Sequence, residues 1–157
     1  MAQQLGFSFD QTRCTGCKAC VLACKDKHDL PVGVRWRRVA EYAGGTWLAS
    51  ATDGTFTNDV YCYYTSYSCN HCDDPICVQV CPSTAMHKGD NGIVSVRADV
   101  CIGCRYCEMA CPYSAPQFNA DKGVMTKCDF CSDRIAAGQK PACVAACPSR
   151  ALDYGEV

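Results

Sequence analysis

Sixteen of the seventeen cysteines in this 157-residue chain fall into four groups of four. Cys14, Cys17, Cys20 and Cys24 form the first group, and Cys69, Cys72, Cys77 and Cys81 the second. Cys101, Cys104, Cys107 and Cys111 form the third, Cys128, Cys131, Cys143 and Cys147 the fourth, and Cys62 stands alone. Groups one and three share the spacing C-x2-C-x2-C-x3-C; group two widens the middle gap to four residues and group four to eleven. Pro-x-x-Ala follows the last cysteine of groups two, three and four, at Pro82 to Ala85, Pro112 to Ala115 and Pro148 to Ala151. One four-point device is thus repeated with loops of different length.

A short chain so rich in cysteine would ordinarily be a disulfide scaffold. Three features oppose that reading. The count of 17 is odd, so full internal pairing is impossible. Thiols two residues apart are poorly placed to staple distant segments. The opening residues MAQQLGFSFDQTRC lack a basic region followed by an apolar one, so no secretion signal is read there. Zinc ribbons use C-x2-C pairs rather than triplets closed by x3-C-P, and a redox C-x-x-C enzyme needs a βαβ context that is missing. The run CIGCRYCEMACP at 101 to 112 instead suits an iron-sulfur cubane. Cysteines at every third residue let a loop curl three sulfurs onto three iron corners, and in two-cluster ferredoxins the fourth thiolate serves the partner cluster.

The formal net charge of -1 points to neither nucleic acid nor an anionic membrane. No apolar stretch approaches the roughly 18 residues that would cross a bilayer. Neither a Ser-His-Asp set nor paired carboxylates can be read, so no catalytic site and no small-molecule substrate are expected. The 48% hydrophobic content includes the 17 cysteines, and what remains is below the usual apolar share for building a core without a cofactor.

Short strands are expected at Gly6 to Phe9 and Ile93 to Val96, and about one helical turn at Glu108 to Ala110. The aromatic-rich stretch from Pro31 to Tyr67 reads as a β-rich insertion with a turn at Gly44-Gly45. Gly16 and Gly103 precede second cysteines, where a missing Cβ permits positive φ. Groups two and four carry His71 and Phe130 there, so their loops are expected to differ. Cys62 is expected to be a buried, unligated thiol, VRWRRV at 34 to 39 a solvated strand face, and Trp36 and Trp47 core or interface aromatics. His71 reads as a loop residue tuning local charge or facing solvent; His28 and His87 show no carboxylate or nucleophile pattern. Arg13, Lys18, Lys25, Arg105, Lys127 and Arg134 stand near ligands and are candidates for tuning them.

The words RCTGCKAC (13 to 20), EYAGG (41 to 45), SCNHC (68 to 72), VCPSTAMHK (80 to 88) and CIGCRYCEMACPYSAPQ (101 to 117) carry a resemblance over nearly the whole chain. It resembles the four-cluster iron-sulfur subunits of molybdopterin oxidoreductases, the polyferredoxin family that includes the dimethyl sulfoxide reductase type. That resemblance implies an α+β fold of two interleaved bacterial-ferredoxin-like units, each holding two 4Fe-4S clusters. An outer unit would comprise residues 1–61 and 121–157, with the insertion at about 31–67, and an inner unit residues 62–120. It further implies the ligand sets Cys14, Cys17, Cys20, Cys147; Cys69, Cys72, Cys77, Cys111; Cys101, Cys104, Cys107, Cys81; and Cys128, Cys131, Cys143, Cys24. Some relatives replace the ligand at position 104 and hold a three-iron cluster, so Cys104 implies four 4Fe-4S clusters here. The implied partners are a molybdopterin catalytic subunit and an integral-membrane subunit that oxidises quinol. The implied location is peripheral to the bacterial inner membrane, on the periplasmic side, after export with the catalytic partner. A freestanding polyferredoxin and a structural zinc protein are the alternatives, as is the equivalent subunit of a related oxidoreductase.

Overall fold

The computed structural model describes residues 4–50 and 52–157, so residues 1–3 of the expected outer unit and one position of the insertion lie outside the described residues. Strand β1 (Leu5–Phe9) leads through a 3-10 turn (Gln11–Arg13) into helix α1 (Ala19–Lys27). Strands β2 (Arg38–Gly44), β3 (Trp47–Ala49), β4 (Phe56–Asn58) and β5 (Tyr61–Tyr67) follow. Then come α2 (Ile76–Gln79), β6 (Met86–Lys88), β7 (Val94–Val96), α3 (Tyr106–Ala110), β8 (Gln117–Asn119) and β9 (Val124–Thr126). The chain closes with α4 (Ser132–Ala136), α5 (Ala142–Ala145) and β10 (Leu152–Glu156). This is mixed helix and strand, and the strands form five two-stranded sheets among the described residues.

All five pairs are antiparallel: β1 with β10, β2 with β5, β3 with β4, β6 with β7, and β8 with β9. The expected insertion is therefore a double hairpin, Arg38 pairing with Tyr67 at its base and Gly44 with Tyr61 further out. Helix α1 packs on α5, and α2 on α3. Two of these pairings bring sequence-distant groups together, because β1 and α1 come from one end of the chain and β10 and α5 from the other. The divisions expected at 61/62 and 120/121 pass through β5 and between the paired strands β8 and β9.

Each Pro-x-x-Ala repeat acts as one local machine. The residue before its alanine is left-handed, at Thr84 (φ 53), Ser114 (φ 48) and Arg150 (φ 52). The alanines themselves, Ala85, Ala115 and Ala151, are buried, and the chain enters β6, β8 or β10 within two residues. Group one lacks the proline because α1 runs on through Cys24 to Lys27, where a proline at position 25 would clash with the preceding turn. Lys25 instead donates to the carbonyls of Leu30 and Pro31, each at 2.6 Å.

The core is small and divided. Three of its four apolar clusters contain cysteines: Cys77 and Cys107 with Met86, Val94 and Met125; Cys20 and Cys143 with Val144 and Leu152; Cys69 and Cys128 with Ala115. The fourth joins Leu5, Ile93 and Phe130, and Phe7 stacks on Phe130 at 4.2 Å between ring centroids.

Candidate metal centres

At the residue before the second cysteine, all four groups adopt the same left-handed backbone: Gly16 (φ 68), His71 (φ 47), Gly103 (φ 66) and Phe130 (φ 62). The expectation that groups two and four differ there is corrected for the backbone; what differs is where the side chain goes. A Cβ at Gly16 would strike the Tyr64 ring, and one at Gly103 the carbonyl oxygen of Gly123. His71 and Phe130 instead turn inward and meet edge to face at 5.2 Å. Both are buried, Phe130 completely (0% exposed). A left-handed backbone costs a non-glycine residue about 1–2 kcal/mol, and burying an aromatic ring offsets that comfortably.

These loops bring cysteines from distant groups onto common pockets. One, with about 290 Å³ free of protein atoms, is lined by Cys14, Cys17, Cys20 and Cys147. A second of about 290 Å³ is lined by Cys81, Cys101, Cys104 and Cys107. A third, about 380 Å³, is lined by Cys69, Cys72, Cys77 and Cys111. Cys24 lies within electrostatic reach of Cys128, Cys143 and Cys131. All seventeen cysteines are free thiols, so no sulfur among the described residues is tied up in a disulfide. Cys62 is exposed rather than buried: it shares a face of β5 with Tyr64 and Ser66, and along that face burial falls from Ser66 through Tyr64 to Cys62 near the strand's outer end.

The donor set decides which inorganic group fits. A tetrahedral zinc with Zn–S near 2.3 Å holds its sulfurs only about 3.8 Å apart. Among the described residues no three cysteine sulfurs lie within 4.8 Å of one another; the one trio that tight is His28, Asp129 and Cys131. The quartets are too widely spread for a single ion and suit a larger body with several metal corners. Backbone N–H groups already point at the sulfurs: His71 to Cys69, Met86 to Cys81 and Met125 to Cys101, each at 3.4 Å.

Burial pushes the Cys77 thiol up to about 11, and Cys107 and Cys128 to about 12, with neighbouring sulfurs adding to the effect. Cys20, Cys24, Cys69 and Cys131 are raised for the same first reason. Such thiols ionise only against a compensating metal charge. Cys81 and Cys147 go the other way. Burial raises both, but donors from Met86 and Ser83 at Cys81, and from Ser149 and Leu152 at Cys147, outweigh it.

Two buried cations face the sulfurs. Lys127 (3% exposed) donates to the carbonyls of Val94 and Cys128 and favours the thiolates of Cys69, Cys77 and Cys128. Arg37 (2% exposed) does the same for Cys20, Cys24 and Cys128. It donates to Ser66 and Ser68 at 3.2 and 3.0 Å and lies 4.5 Å from the Phe7 ring centroid. VRWRRV is therefore not a uniformly solvated face: Arg35 is exposed, while Arg37 enters the core because Ser66 and Ser68 wait there. Among the other basic candidates, Arg13 pairs with Asp10 and Arg105 with Glu108 at the surface, Lys25 and Arg134 cap carbonyls, and Lys18 is exposed.

His71 does not face solvent. Its Nδ1 accepts from the Val94 N–H at 3.0 Å, and burial, then Lys127, pushes its pKa down to about 2, so it is neutral. His28, for which the sequence offered no carboxylate or nucleophile pattern, lies 3.6 Å from Asp129 and 3.5 Å from Cys131 Sγ. Separations above 100 residues hid that grouping. Trp36 is half-buried against the Cys69 and Cys128 cluster, while Trp47 is exposed.

Residues 60–157 match the family described as the 4Fe-4S dicluster domain, and residues 7–26 match the 4Fe-4S binding domain. With quartets of splayed thiols, this makes the chain a ferredoxin-type protein built to hold 4Fe-4S clusters. It is 59% identical over all 157 residues to the B chain of anaerobic dimethyl sulfoxide reductase from Escherichia coli strain K12, spanning 76% of that protein. It is 43% identical to thiosulfate reductase electron transfer subunit PhsB of Salmonella typhi, over 94% of this chain and 73% of that one. It is 38% identical to the B chain of polysulfide reductase from Wolinella succinogenes, over 100% of this chain and 78% of that one. The protein therefore belongs to the family of iron-sulfur B subunits of these reductases, and its role is electron transfer, not catalysis.

Proposed function

We propose that the chain is a relay of four 4Fe-4S clusters, held by the quartets Cys14/Cys17/Cys20/Cys147, Cys24/Cys128/Cys131/Cys143, Cys69/Cys72/Cys77/Cys111 and Cys81/Cys101/Cys104/Cys107, in that spatial order. The observation that carries the order is that neighbouring quartets share a wall. Cys20 and Cys143 belong to one apolar cluster, Cys128 and Cys69 to another, and Cys107 and Cys77 to a third. When bound, such clusters exchange single electrons at potentials set by charge, hydrogen bonds and exposure. The protein supplies thiolates, N–H donors to sulfur, and the cations Arg37 and Lys127 between quartets. The pairings of α1 with α5, α2 with α3, and β1 with β10 support two ferredoxin-like units, the one with groups two and three enclosed in sequence by the other.

A relay needs two ends open to partners. Beside the first quartet, the double hairpin exposes Tyr42, Trp47, Phe56 and Tyr61, and its Tyr64 covers Gly16. Beside the last quartet, Ile102, Tyr106 and Met109 are exposed. Apolar residues gathered in this way mark interaction sites. From the dimethyl sulfoxide reductase names of its relatives and the resemblance its motifs carry, we assign this chain to a complex that reduces dimethyl sulfoxide or a similar S- or N-oxide. Electrons would come from a quinol-oxidising membrane subunit and leave to a molybdopterin catalytic subunit, at the periplasmic side of the inner membrane. No helix of the described residues is long and apolar enough to cross a membrane, which suits a peripheral subunit held by its partners.

Anaerobic reconstitution with iron and sulfide tests the relay. About sixteen irons and as many labile sulfides per chain are expected, with EPR signals of four interacting clusters after dithionite reduction. About half that iron would overturn the count of four. Replacing Cys104 with serine is expected to convert one cluster toward a three-iron form; an unaltered spectrum would overturn that ligand set.

A further inference from the structure

The C-terminal end of α1 clamps the loop that carries Cys128 and Cys131. Lys27 Nζ meets Asp133 at 2.6 Å, and the next residue, His28, reaches Asp129 and Cys131. The imidazole is fixed from its other side by Trp36, 4.5 Å away between ring centroids. The Trp36 indole N–H donates to Thr126 at 3.2 Å. Asp129 Oδ1 also accepts from the backbone N–H of Cys131 at 2.8 Å. One ring nitrogen, Nε2, thus faces a carboxylate oxygen and a sulfur. Once that sulfur is a thiolate ligand both are acceptors, so Nε2 must carry the proton. The same three ligand atoms fall within 4.8 Å, but with Cys131 given to its own quartet the trio has no spare thiolate for a further ion.

On the ligand sets proposed above, we infer that His28 is a positioning residue for the Cys24/Cys128/Cys131/Cys143 centre: its Nε2–H holds the Cys131 sulfur and sets the potential of that one centre. The sign follows from charge. An added electron places more negative charge on the cysteine sulfurs, a donor stabilises the reduced state more than the oxidised one, and the potential rises. Asp129, whose Oδ1 lies 3.6 Å from Nε2 and 2.8 Å from the Cys131 backbone nitrogen, places a negative charge beside the same sulfur and acts in the opposite direction, lowering the potential.

The test is an EPR-monitored redox titration of the anaerobically reconstituted full chain, with Cys131→Ser identifying the signal of this centre. His28→Phe keeps a ring against Trp36 and removes the donor, whereas His28→Gln keeps a donor. The identified signal is expected to move to lower potential in the Phe variant, with the other three unmoved and the iron count unchanged. The Gln variant should sit at or near the parent value. An unmoved signal in His28→Phe, or an equal shift in both variants, overturns the proposal, since the second would make the effect one of packing. If His28→Phe binds less iron, Asp129→Asn decides: the same signal must rise, and no movement overturns the inference. If Cys131→Ser leaves four clusters intact, it is the ligand set that fails, separately from any role of His28.

Discussion

The glycine loops of groups one and three and the aromatic loops of groups two and four reach one backbone conformation by opposite means. Gly16 and Gly103 are small because another segment lies directly over them, the Tyr64 ring in one case and the Gly123 carbonyl in the other. His71 and Phe130 are large because their side chains point into the core, where they meet each other and Phe130 stacks on Phe7. The left-handed turn before the second cysteine is thus common to all four groups. The residue occupying the turn is chosen by what surrounds it. Glycine avoids strain; Phe130 tolerates strain in exchange for core.

If both kinds of loop exist to present thiolates, removing the metal should defeat them together. Chelation or oxidative loss of iron is expected to abolish the cooperative thermal transition of the whole chain, since three of the four apolar clusters include cysteines. Calorimetry of fully apo protein checks this, and a retained sharp transition would break the comparison at its root.

The aromatic half is sharpened by Phe130→Ala. Removing a fully buried ring is expected to cost about 3–5 kcal/mol, read from denaturant midpoints of the cluster-loaded protein, although alanine fits the backbone no worse. Gly103→Ala should cost somewhat less, about 2–4 kcal/mol, combining left-handed strain with a clash against a carbonyl that cannot swing away. Gly16→Ala is expected to cost least, about 1–2 kcal/mol, because the obstructing Tyr64 is a side chain on an exposed hairpin. Combining it with Tyr64→Ala should leave only the strain. Equal costs for the two glycine variants would show that backbone strain alone, and not the covering segment, dictates glycine.

Much of the site was legible in residue spacing. The four-fold grouping, the two motif glycines and the Pro-x-x-Ala repeat report local geometry, and local geometry is what spacing encodes. Strands β2 to β5, from Arg38 to Tyr67, also fall within the aromatic-rich stretch from Pro31 to Tyr67 that reads as β-rich. What spacing could not carry were matters of surroundings. The burial of Arg37 depends on Ser66 and Ser68, about thirty residues away. The exposure of Cys62 depends on its place near the outer end of β5, where the face that buries Ser66 is no longer covered. A positive φ at His71 and Phe130 is not written in the residue type, since neither is glycine, and burial of both side chains compensates for it.

Sequence alone determined that this chain carries four thiol quartets' worth of cysteine on tight loops, since a C-x2-C-x2-C run can curl only a few ways. Tertiary structure decided which sulfurs meet, which cations lie among them and which histidine touches one. Cys14 and Cys147 share a pocket, and His28 reaches Cys131, only after β1 pairs with β10 and α1 packs on α5. Contacts across more than a hundred residues are set by the packing of whole elements, and no interval between cysteines records them.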